Sequence, residues 1–365
     1  RIDAEGDTQS VDIYPSTIRS DVRLSYEEVD AFLKNRDIEQ DEAILETLSW
    51  LRTVSGRLAA VRAARGGIEF DRYETWIELD DDHKPIGVHP RRQTPAHLLI
   101  ERIMVSANEA VARWLRDRGL PAVYRLHPAP DAHRVAELED SLDRMGFTAG
   151  LAAPLTPRGV ATLRTQFEDA GLEDVLQEVL AQILDRAHYN PTAGRHFGLG
   201  SEAYLHFTSP IRRYADLQVH RVVKAYLAGE RGNGTDVDAL QQLTDHLDAC
   251  AARSAKAEAA RRRTLVARWA SERLGNPFDG HVVATKPYGL IVQLGGTGAT
   301  GVVPKDSLEG DWVHEGHRFV GPGDDTWAIG DQLRVRIDTV DVERGRIDLA
   351  IEPNRKRRKR RRRKR

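Results

Sequence analysis

The stretch that decides the fold runs His206-Phe-Thr-Ser-Pro-Ile-Arg-Arg-Tyr-Ala-Asp-Leu-Gln-Val-His-Arg221. Its Thr-Ser pair can cap a helix, and Pro210 suits the first helical position. The free amides and the positive end of the dipole at such a helix start suit a phosphate group. Planar guanidinium groups in the first turn can bind phosphate oxygens in pairs. Arg212 and Arg213 are therefore candidate phosphate ligands.

The same stretch carries a regular spacing of polar residues. Arg212, Asp216 and His220 follow one another at intervals of four, so they share one face of the predicted helix. We expect Asp216 to orient Arg212. An ordinary capped helix with an ion pair explains the pattern equally well, and the residues alone do not decide between the two interpretations.

The flanking sequence predicts a mixture of helices and strands. Residues 1–23 resemble strand material around a turn at Glu5-Gly-Asp7. Ser25 and Glu28 form a capping box, which predicts a helix start. Further patterns predict a helix over 41–65, a β-hairpin over 68–90 with its tip at 80–83, a helix from Thr94 to Gly119, mostly helical structure over 131–188, and two long helices reaching about Leu274.

The C-terminal part has a different pattern, with short alternating strands and Gly-rich turns over 277–352. Leu333, Val335 and Ile337 alternate with polar residues, and the alternation repeats over 347–351, which predicts a small barrel. The intervening Arg334 and Arg336 could follow an RNA backbone, although a solvated face is the simpler explanation.

Composition indicates a globular protein with an unusual charge distribution. Hydrophobic residues make up 40%, and no apolar run approaches the roughly 20 residues that span a bilayer. Residues 355–365 are all Lys or Arg; without these eleven, 54 basic residues fall to 43 against 56 acidic ones. We expect a disordered basic tail that anchors a polyanion or merely solubilises the chain. The single cysteine fits a reducing cytoplasm, and the absence of an initial Met suggests a longer protein.

The stretch 206–221 closely resembles the signature of the ribonuclease II (RNB) exoribonuclease family. Its neighbour His196-Phe-Gly-Leu-Gly-Ser-Glu-Ala-Tyr204, the segment 20–29 and the segment 91–108 are similar to the same family. The resemblance implies an α+β fold, a truncated RNB catalytic domain followed by a small all-β S1-type OB barrel. The implied domains are the C-terminal portion of an RNB domain (1–274), the S1-type domain (275–353) and the tail (354–365).

The resemblance also implies roles for individual residues. Arg212 matches the catalytic arginine that holds the scissile phosphate, and Arg213 matches a basic position beside the RNA backbone. Tyr26 and Phe70 match the aromatics that stack on the last bases, and Glu101 matches an acid near the terminal sugars that can read a 2′-OH. From the residues alone, an ordinary helix aromatic is the favoured interpretation of Tyr26, and a core residue is still more strongly favoured for Phe70. Glu101 is either a solvent-facing acid or one placed for function, and the residues alone do not decide.

Two further RNA contacts are expected outside that group. Glu258 matches another acid that contacts RNA in the family. Tyr288, within Lys286-Pro-Tyr-Gly-Leu-Ile-Val-Gln-Leu294, corresponds to the aromatic that stacks on bases in S1-type folds, with a buried barrel residue as the alternative.

The metal ligands of the family have no match here. The resemblance implies Mg²⁺ held by clustered aspartates upstream of residue 20, since two-metal hydrolysis needs carboxylates grouped around the ions. Asp3, Asp7 and Asp12 lack an adjacent pair, and 80–82 and 324–325 fall in predicted turns. We therefore expect the groups that hold phosphate and bases without the metal site.

The resulting expectation is a cytoplasmic, Mg-dependent 3′→5′ exoribonuclease that degrades single-stranded RNA processively to nucleoside 5′-monophosphates. No membrane and no obligate protein partner are indicated. The alternative is a non-catalytic RNA-binding protein that retains the RNB scaffold, which the missing aspartates favour. A ribosome-associated S1 protein explains residues 277–365 only.

Overall fold

The computed structural model describes residues 1–36, 38–68, 73–144, 146–148, 150, 155, 157–172, 176, 179–180, 183–230, 237–315 and 318–352. The helices are α1 (Tyr26–Leu33), α2 (Glu42–Ala64), α3 (Pro95–Arg116), α4 (Ala132–Arg144), α5 (Pro157–Asp169), α6 (Tyr214–Leu227) and α7 (Val237–Ser271). The strands are β1 (Tyr73–Leu79), β2 (Pro85–Arg92), β3 (Tyr124–Leu126), β4 (His188–Asn190), β5 (Pro277–Lys286), β6 (Gly289–Leu294), β7 (Thr300–Pro304), β8 (Val313–Glu315), β9 (Arg318–Val320), β10 (Thr326–Ala328), β11 (Gln332–Asp341) and β12 (Arg346–Ile351). Within these ranges no helix is long and apolar enough to cross a membrane.

The first 24 residues form less sheet than the sequence predicts. A single bridge joins Ile2 to Thr8, around a turn in which the Asp3 carboxylate accepts three backbone amides. Those hydrogen bonds lower the pKa of Asp3, because they favour its charged form. Residues 9–24 have no strand assignment, so the expectation of strands there is wrong. An extended chain becomes a strand only where a neighbour completes its hydrogen bonds.

Helix α1 packs against the N-terminal end of α3. The predicted capping box of α1 is present, with Ser25 and Glu28 bonding each other's backbone amides. Thr94 is in the N-cap position of α3, but its side chain makes no capping hydrogen bond. Instead the buried Asp30 accepts from the amide of Ala96 at 2.8 Å. A carboxylate is a stronger acceptor than a hydroxyl, and it also offsets the helix dipole.

The predicted hairpin is confirmed as β1 and β2, which pair in antiparallel register. Its tip at 80–84 is an exposed turn organised by the Asp80 carboxylate, as expected. The hairpin packs on the C-terminal barrel, because Val88 belongs to the barrel core and Thr75 donates to the carbonyl of Gly298.

The C-terminal part is a closed five-stranded barrel in the order β11-β12-β7-β6-β5. Leu333, Val335 and Ile337 are buried and the arginines between them are exposed, which confirms the predicted alternation. Helix α7 closes one end of the core with Val266 and Trp269. The α+β fold class, with helices and short sheets first and a strand-rich barrel after them, is therefore confirmed.

Three smaller cores support the first part of the chain. One lies between α4, α5 and the outer face of the barrel, where Val283 contributes. The second joins α3 to α6 through Trp114, Leu115 and Val219. This second core fixes the two helices that carry the candidate site.

Candidate functional site

The centre of the site is the loop 206–213, here called the signature turn, which leads into α6. Helix α6 begins at Tyr214 with Arg213 in the N-cap position, so the expected start at Pro210 is wrong. Arg213 has extended backbone angles, φ −125° and ψ 116°, which break the helical path after one turn. This conformation lets the arginine side chain fold back towards the helix that follows it.

Asp216 fixes the signature turn from below. Its fully buried carboxylate accepts from the Ser209 amide and from Arg213 Nη2, each at 2.8 Å. The expected pair between Arg212 and Asp216 is wrong, because the late helix start places Arg213 within reach of this carboxylate instead. The second oxygen of Asp216 and Nε of Arg213 have no hydrogen-bond partner.

Asn108 fixes the turn from the side of α3. Its buried side-chain oxygen accepts from the amides of Phe207 and Thr208 at 2.9 and 3.2 Å. Its side-chain nitrogen donates to the Tyr204 hydroxyl at 3.0 Å. One amide therefore bridges α3, the signature turn and the chain before it, and three of its four hydrogen-bonding positions are used.

These contacts leave Arg212 exposed at the surface. Its Nε donates to Ser209 Oγ at 2.8 Å, so the guanidinium is oriented by a residue that Asp216 holds. The neighbouring Ile211 is almost completely exposed. The remaining donors of Arg212 can bind an oxyanion in a fixed position, because Ser209 already holds the Nε of the guanidinium.

Two other predicted residues lie along the same face of α3. Tyr26 stacks on His97 with ring centroids 3.8 Å apart, and Glu101 is one turn further along. His97, Glu101 and Asn108 share one helical face, because they are spaced four and seven residues apart. The structure thus brings Tyr26, Glu101 and the signature turn to one side of a single helix.

Glu101 has a cationic neighbour. Its carboxylate lies 3.7 Å from Arg62 Nη1 and accepts from Gln93 Nε2 at 3.4 Å. The side chain is one-third exposed, so one edge of it can still meet a ligand.

The rings of Tyr189, His196, Tyr204 and His206 pack against one another and are here called the floor of the signature turn. Burial, with positive charge nearby, lowers the pKa of both His196 and His206 to about 3, so both rings are neutral. Burial raises the pKa of Tyr189 and Tyr204. The Tyr189 hydroxyl lies 2.9 Å from His206 Nδ1. This floor is uncharged, which leaves the exposed arginine as the charge that a ligand meets.

The remaining predicted residues lie apart from this group. Glu258 is exposed on α7 and accepts from Arg262 at 3.0 Å. Tyr288 lies in the β5–β6 turn and is 61% exposed, so it is not the buried barrel residue that was the alternative. Phe70 and the basic tail lie outside the described residues.

Sequence reasoning missed several residues of the site. His97, Arg62 and the structural role of Asn108 were not predicted. An amide amid the apolar positions of an amphipathic helix is a signal for Asn108, since a buried amide requires partners. Nothing local distinguishes His97 or Arg62, because their roles depend on residues far away in the chain.

No group of three or more His, Cys, Asp or Glu side chains that could hold a metal occurs among the residues that the structure describes. Two carboxylates of the site already have cationic partners, Asp216 with Arg213 and Glu101 with Arg62. The described residues therefore do not fit the Mg²⁺ site that the family resemblance implies.

Comparison with known proteins agrees with this geometry. The RNB domain family model matches residues 1–229, and the S1 RNA binding domain model matches residues 272–352. Ribonuclease R of Aquifex aeolicus is 32% identical over 356 residues, which cover 96% of this chain and 50% of that protein. Ribonuclease R of Escherichia coli is 29% identical, over 96% of this chain and 45% of its own length.

Solved structures give the same result. The apo form of Mycoplasma genitalium RNase R matches with a TM-score of 0.89 and 26% identity, over 96% of this chain and 56% of that one. The same enzyme in complex with ribose methylated single-stranded RNA matches equally well. The chain spans about half the length of the curated relatives that it matches. With an RNB match over more than half of its residues and an S1 match after it, the chain belongs to the RNB family.

Proposed function

We propose that this chain is the RNA-holding part of a hydrolytic 3′→5′ exoribonuclease that acts on single-stranded RNA and releases nucleoside 5′-monophosphates processively. The observation that carries the proposal is the exposed Arg212 on a turn fixed by Asn108 and Asp216. A tethered guanidinium is suited to stabilise negative charge that develops on a phosphate. The relatives named Ribonuclease R support the reaction class.

The residues take separate roles in this proposal. Arg212 holds the scissile phosphate, and Tyr26 stacks on a terminal base, with His97 behind its ring. Glu101 accepts a hydrogen bond from a 2′-OH, which distinguishes RNA from DNA. Arg213 was expected beside the RNA backbone, but its ion pair with the buried Asp216 favours a role in shaping the turn.

Other RNA contacts lie further from the turn. The exposed Tyr288 on the barrel stacks on a base of the incoming strand, a contact that suits an enzyme without sequence preference. Phe70 stacks opposite Tyr26, and Glu258 contacts RNA through the surface of α7. The basic tail at 354–365 adds a salt-dependent attraction to the backbone.

A divalent metal is generally required in the RNB family. Because the described residues do not fit such a site, we propose that carboxylates outside them hold the Mg²⁺. We also propose that the RNB portion ends near residue 274, and that the protein works in the cytoplasm, in keeping with its one free cysteine.

The test is a gel assay with 5′-labelled single-stranded RNA in Mg²⁺, with EDTA and a matched DNA as controls. An EDTA-sensitive collapse to a short 5′-labelled product, with DNA spared, is the result expected of the exoribonuclease. Arg212→Gln should abolish the collapse, while Arg221→Gln, which removes an exposed arginine of the following helix α6, should not. Intact RNA under every condition would contradict the proposal for this chain.

The second candidate is a non-catalytic RNA-binding protein. It is favoured by the lack of a metal-holding group among the described residues. RNA that is retarded in the gel but never shortened, with or without EDTA, would support it. Loss of that retardation in Arg212→Gln would show that the signature turn binds RNA without cleaving it.

A further inference from the structure

A second aromatic surface lies on the β1–β2 hairpin, among residues that have no role in the proposed function. One face of the hairpin packs on the barrel through Thr75, Ile77 and Val88. Trp76 and His89 alternate with these residues along the strands, so they point away from the barrel. Trp76 keeps 46% of its surface exposed, although tryptophan is highly buried on average.

The ring of His89 supports the indole of Trp76. The two rings are stacked, with centroids 5.7 Å apart and planes inclined by 29°. His89 Nε2 in turn lies 3.4 Å from a carboxylate oxygen of Glu78. Gly87 leaves room for this contact, because a Cβ at that position would lie 2.5 Å from His89 Nε2. The hairpin therefore orients an aromatic pair and leaves nearly half of the indole open to a ligand.

An open hollow lies beside this aromatic pair. It has a volume of ≈370 Å³ and is lined by Trp76, His89, Pro90 and Arg91. This volume is within the range of about 300–1,000 Å³ that small-molecule sites occupy. Arg91 is exposed, and it makes no hydrogen bond or ion pair with any residue that the structure describes. The hollow thus offers an aromatic ring and an arginine whose donors are available.

The hairpin links the barrel to the proposed RNA site. Strand β2 enters the barrel core with Val88, and Gln93, just after the end of β2, donates to Glu101 at 3.4 Å. Arg91 and Gln93 occupy alternate positions, so the face that carries Arg91 leads towards Glu101. Along an extended strand Val88 and Gln93 are roughly 17 Å apart. An RNA strand that runs from the barrel to the signature turn can therefore cross this face.

We propose that Trp76 stacks on a base of single-stranded RNA between the barrel and the signature turn, and that Arg91 binds an adjoining phosphate. Every nucleobase has a π-face that an exposed indole can cover, and a guanidinium can bind phosphate oxygens in pairs. Glu74 and Glu78 stand on either side of Trp76 in the sequence, so net charge alone does not select an anion here. The aromatic ring has to carry the recognition. This inference rests on the proposed function.

The test measures the affinity of the whole chain for a labelled oligouridylate by fluorescence anisotropy, in EDTA so that the RNA stays intact. Trp76→Ala should weaken binding roughly 5- to 150-fold, the factor expected when one base stack is lost. Trp76→Phe keeps an aromatic ring and should recover most of the affinity. Trp50→Ala is the matched control, because it removes an exposed tryptophan of α2. It should bind like the unchanged chain.

A salt series tests the phosphate contact. Arg91→Gln should reduce the slope of log affinity against log salt by about 0.7, the share of one phosphate contact on a single strand. Arg116→Gln, which removes an arginine paired with Asp117 on α3, should leave the slope unchanged. Equal slopes in the two variants would refute the role of Arg91.

The outcomes separate this inference from the proposed function. Equal affinities of Trp76→Ala and Trp50→Ala, in a chain whose binding still depends on Arg212, would overturn the inference alone and point to a protein as the occupant of this face. RNA that does not bind the unchanged chain would overturn both.

If Trp76→Ala does not fold, photo-crosslinking of the unchanged chain to RNA that carries 4-thiouridine decides. Crosslinks within residues 73–92 support the contact, and crosslinks confined to other segments refute it.

Discussion

The signature turn and the C-terminal barrel are held in place by different kinds of contact. The turn depends on a few buried polar groups, in which Asp216 and Asn108 together accept from three backbone amides. The barrel depends on strand pairing around an apolar core that includes Phe319, Ile337 and Leu349. A polar contact requires a specific atom at a specific distance, whereas an apolar core requires mainly the right volume.

This difference has a functional consequence. In the proposed function, the turn must place the guanidinium of Arg212 accurately, and directional contacts do this better than packing alone. In the same proposal, the barrel presents Tyr288 to bases of any sequence, and packing provides a stable support without fixing each side chain. We therefore expect the two regions to respond differently to conservative changes.

The largest effect is expected from Asp216→Ala. It leaves Arg213 half-buried without its ion pair and the Ser209 amide without its acceptor, so unfolding should become easier by about 3–5 kcal/mol. Urea unfolding measures the change. Leu349→Met in the barrel keeps the volume and should cost less than about 1.5 kcal/mol. A smaller loss in the free energy of unfolding for Asp216→Ala than for Leu349→Met would contradict this difference between the turn and the barrel.

Lowering the pH should destabilise the folded protein through the buried histidines His196 and His206. The folded-state pKa of His196 and His206 is about 3, below the usual 6.5. The unfolded chain therefore binds more protons, and the contribution of each neutral histidine is complete above pH 6.5 and lost as pH falls towards 3. Each loses at most about 1.4 kcal/mol per pH unit.

Urea unfolding at several pH values checks this prediction. His196→Gln should flatten the profile between pH 6.5 and 4. An unchanged slope in that variant would show that carboxylates elsewhere govern the acid response.

Asn108→Ala should have a smaller effect, about 1–3 kcal/mol, because it leaves two backbone amides without their acceptor. Hydrogen exchange locates the damage: the amides of Phe207 and Thr208 should lose protection while Leu349 in the barrel keeps its own. Equal loss of protection in both regions would mean that the turn and barrel unfold as one unit.

Tyr288→Ala should leave stability almost unchanged, because the side chain is mostly exposed. Binding of single-stranded RNA by this variant should be weaker by about 1–3 kcal/mol of free energy if one base stacks on Tyr288. Filter binding measures the affinity, and Tyr14→Ala, another exposed tyrosine, is the control. A large loss of stability would show that the barrel is less tolerant than its packing implies.

Local sequence patterns predicted the elements whose causes are local. The alternation around Val335 gave the barrel strand, and Ser25 with Glu28 gave the start of α1. The start of α6 was misplaced in part because one of the groups that shape the turn before it is distant: Asn108 precedes Phe207 by 99 residues. The cap of α3 was likewise supplied by Asp30, 66 residues away. Such contacts have no period or spacing by which a sequence reveals them.

Helix α7 links the region that carries the signature turn to the C-terminal barrel, and it contacts both. About a third of the way along it, Asp248 accepts from Arg125 and from the Tyr189 amide, and near its end Trp269 enters the barrel core. Residues 251–263 between them are exposed all round, a span of about 20 Å. Adding one residue there would rotate the barrel end of the helix by about 100° relative to Asp248, and the contacts of the barrel with the β1–β2 hairpin and with α4 and α5 would oppose that rotation. The number of residues in this exposed segment must therefore agree with those contacts, so a change in its length should disturb the S1 barrel more than a change in its side chains.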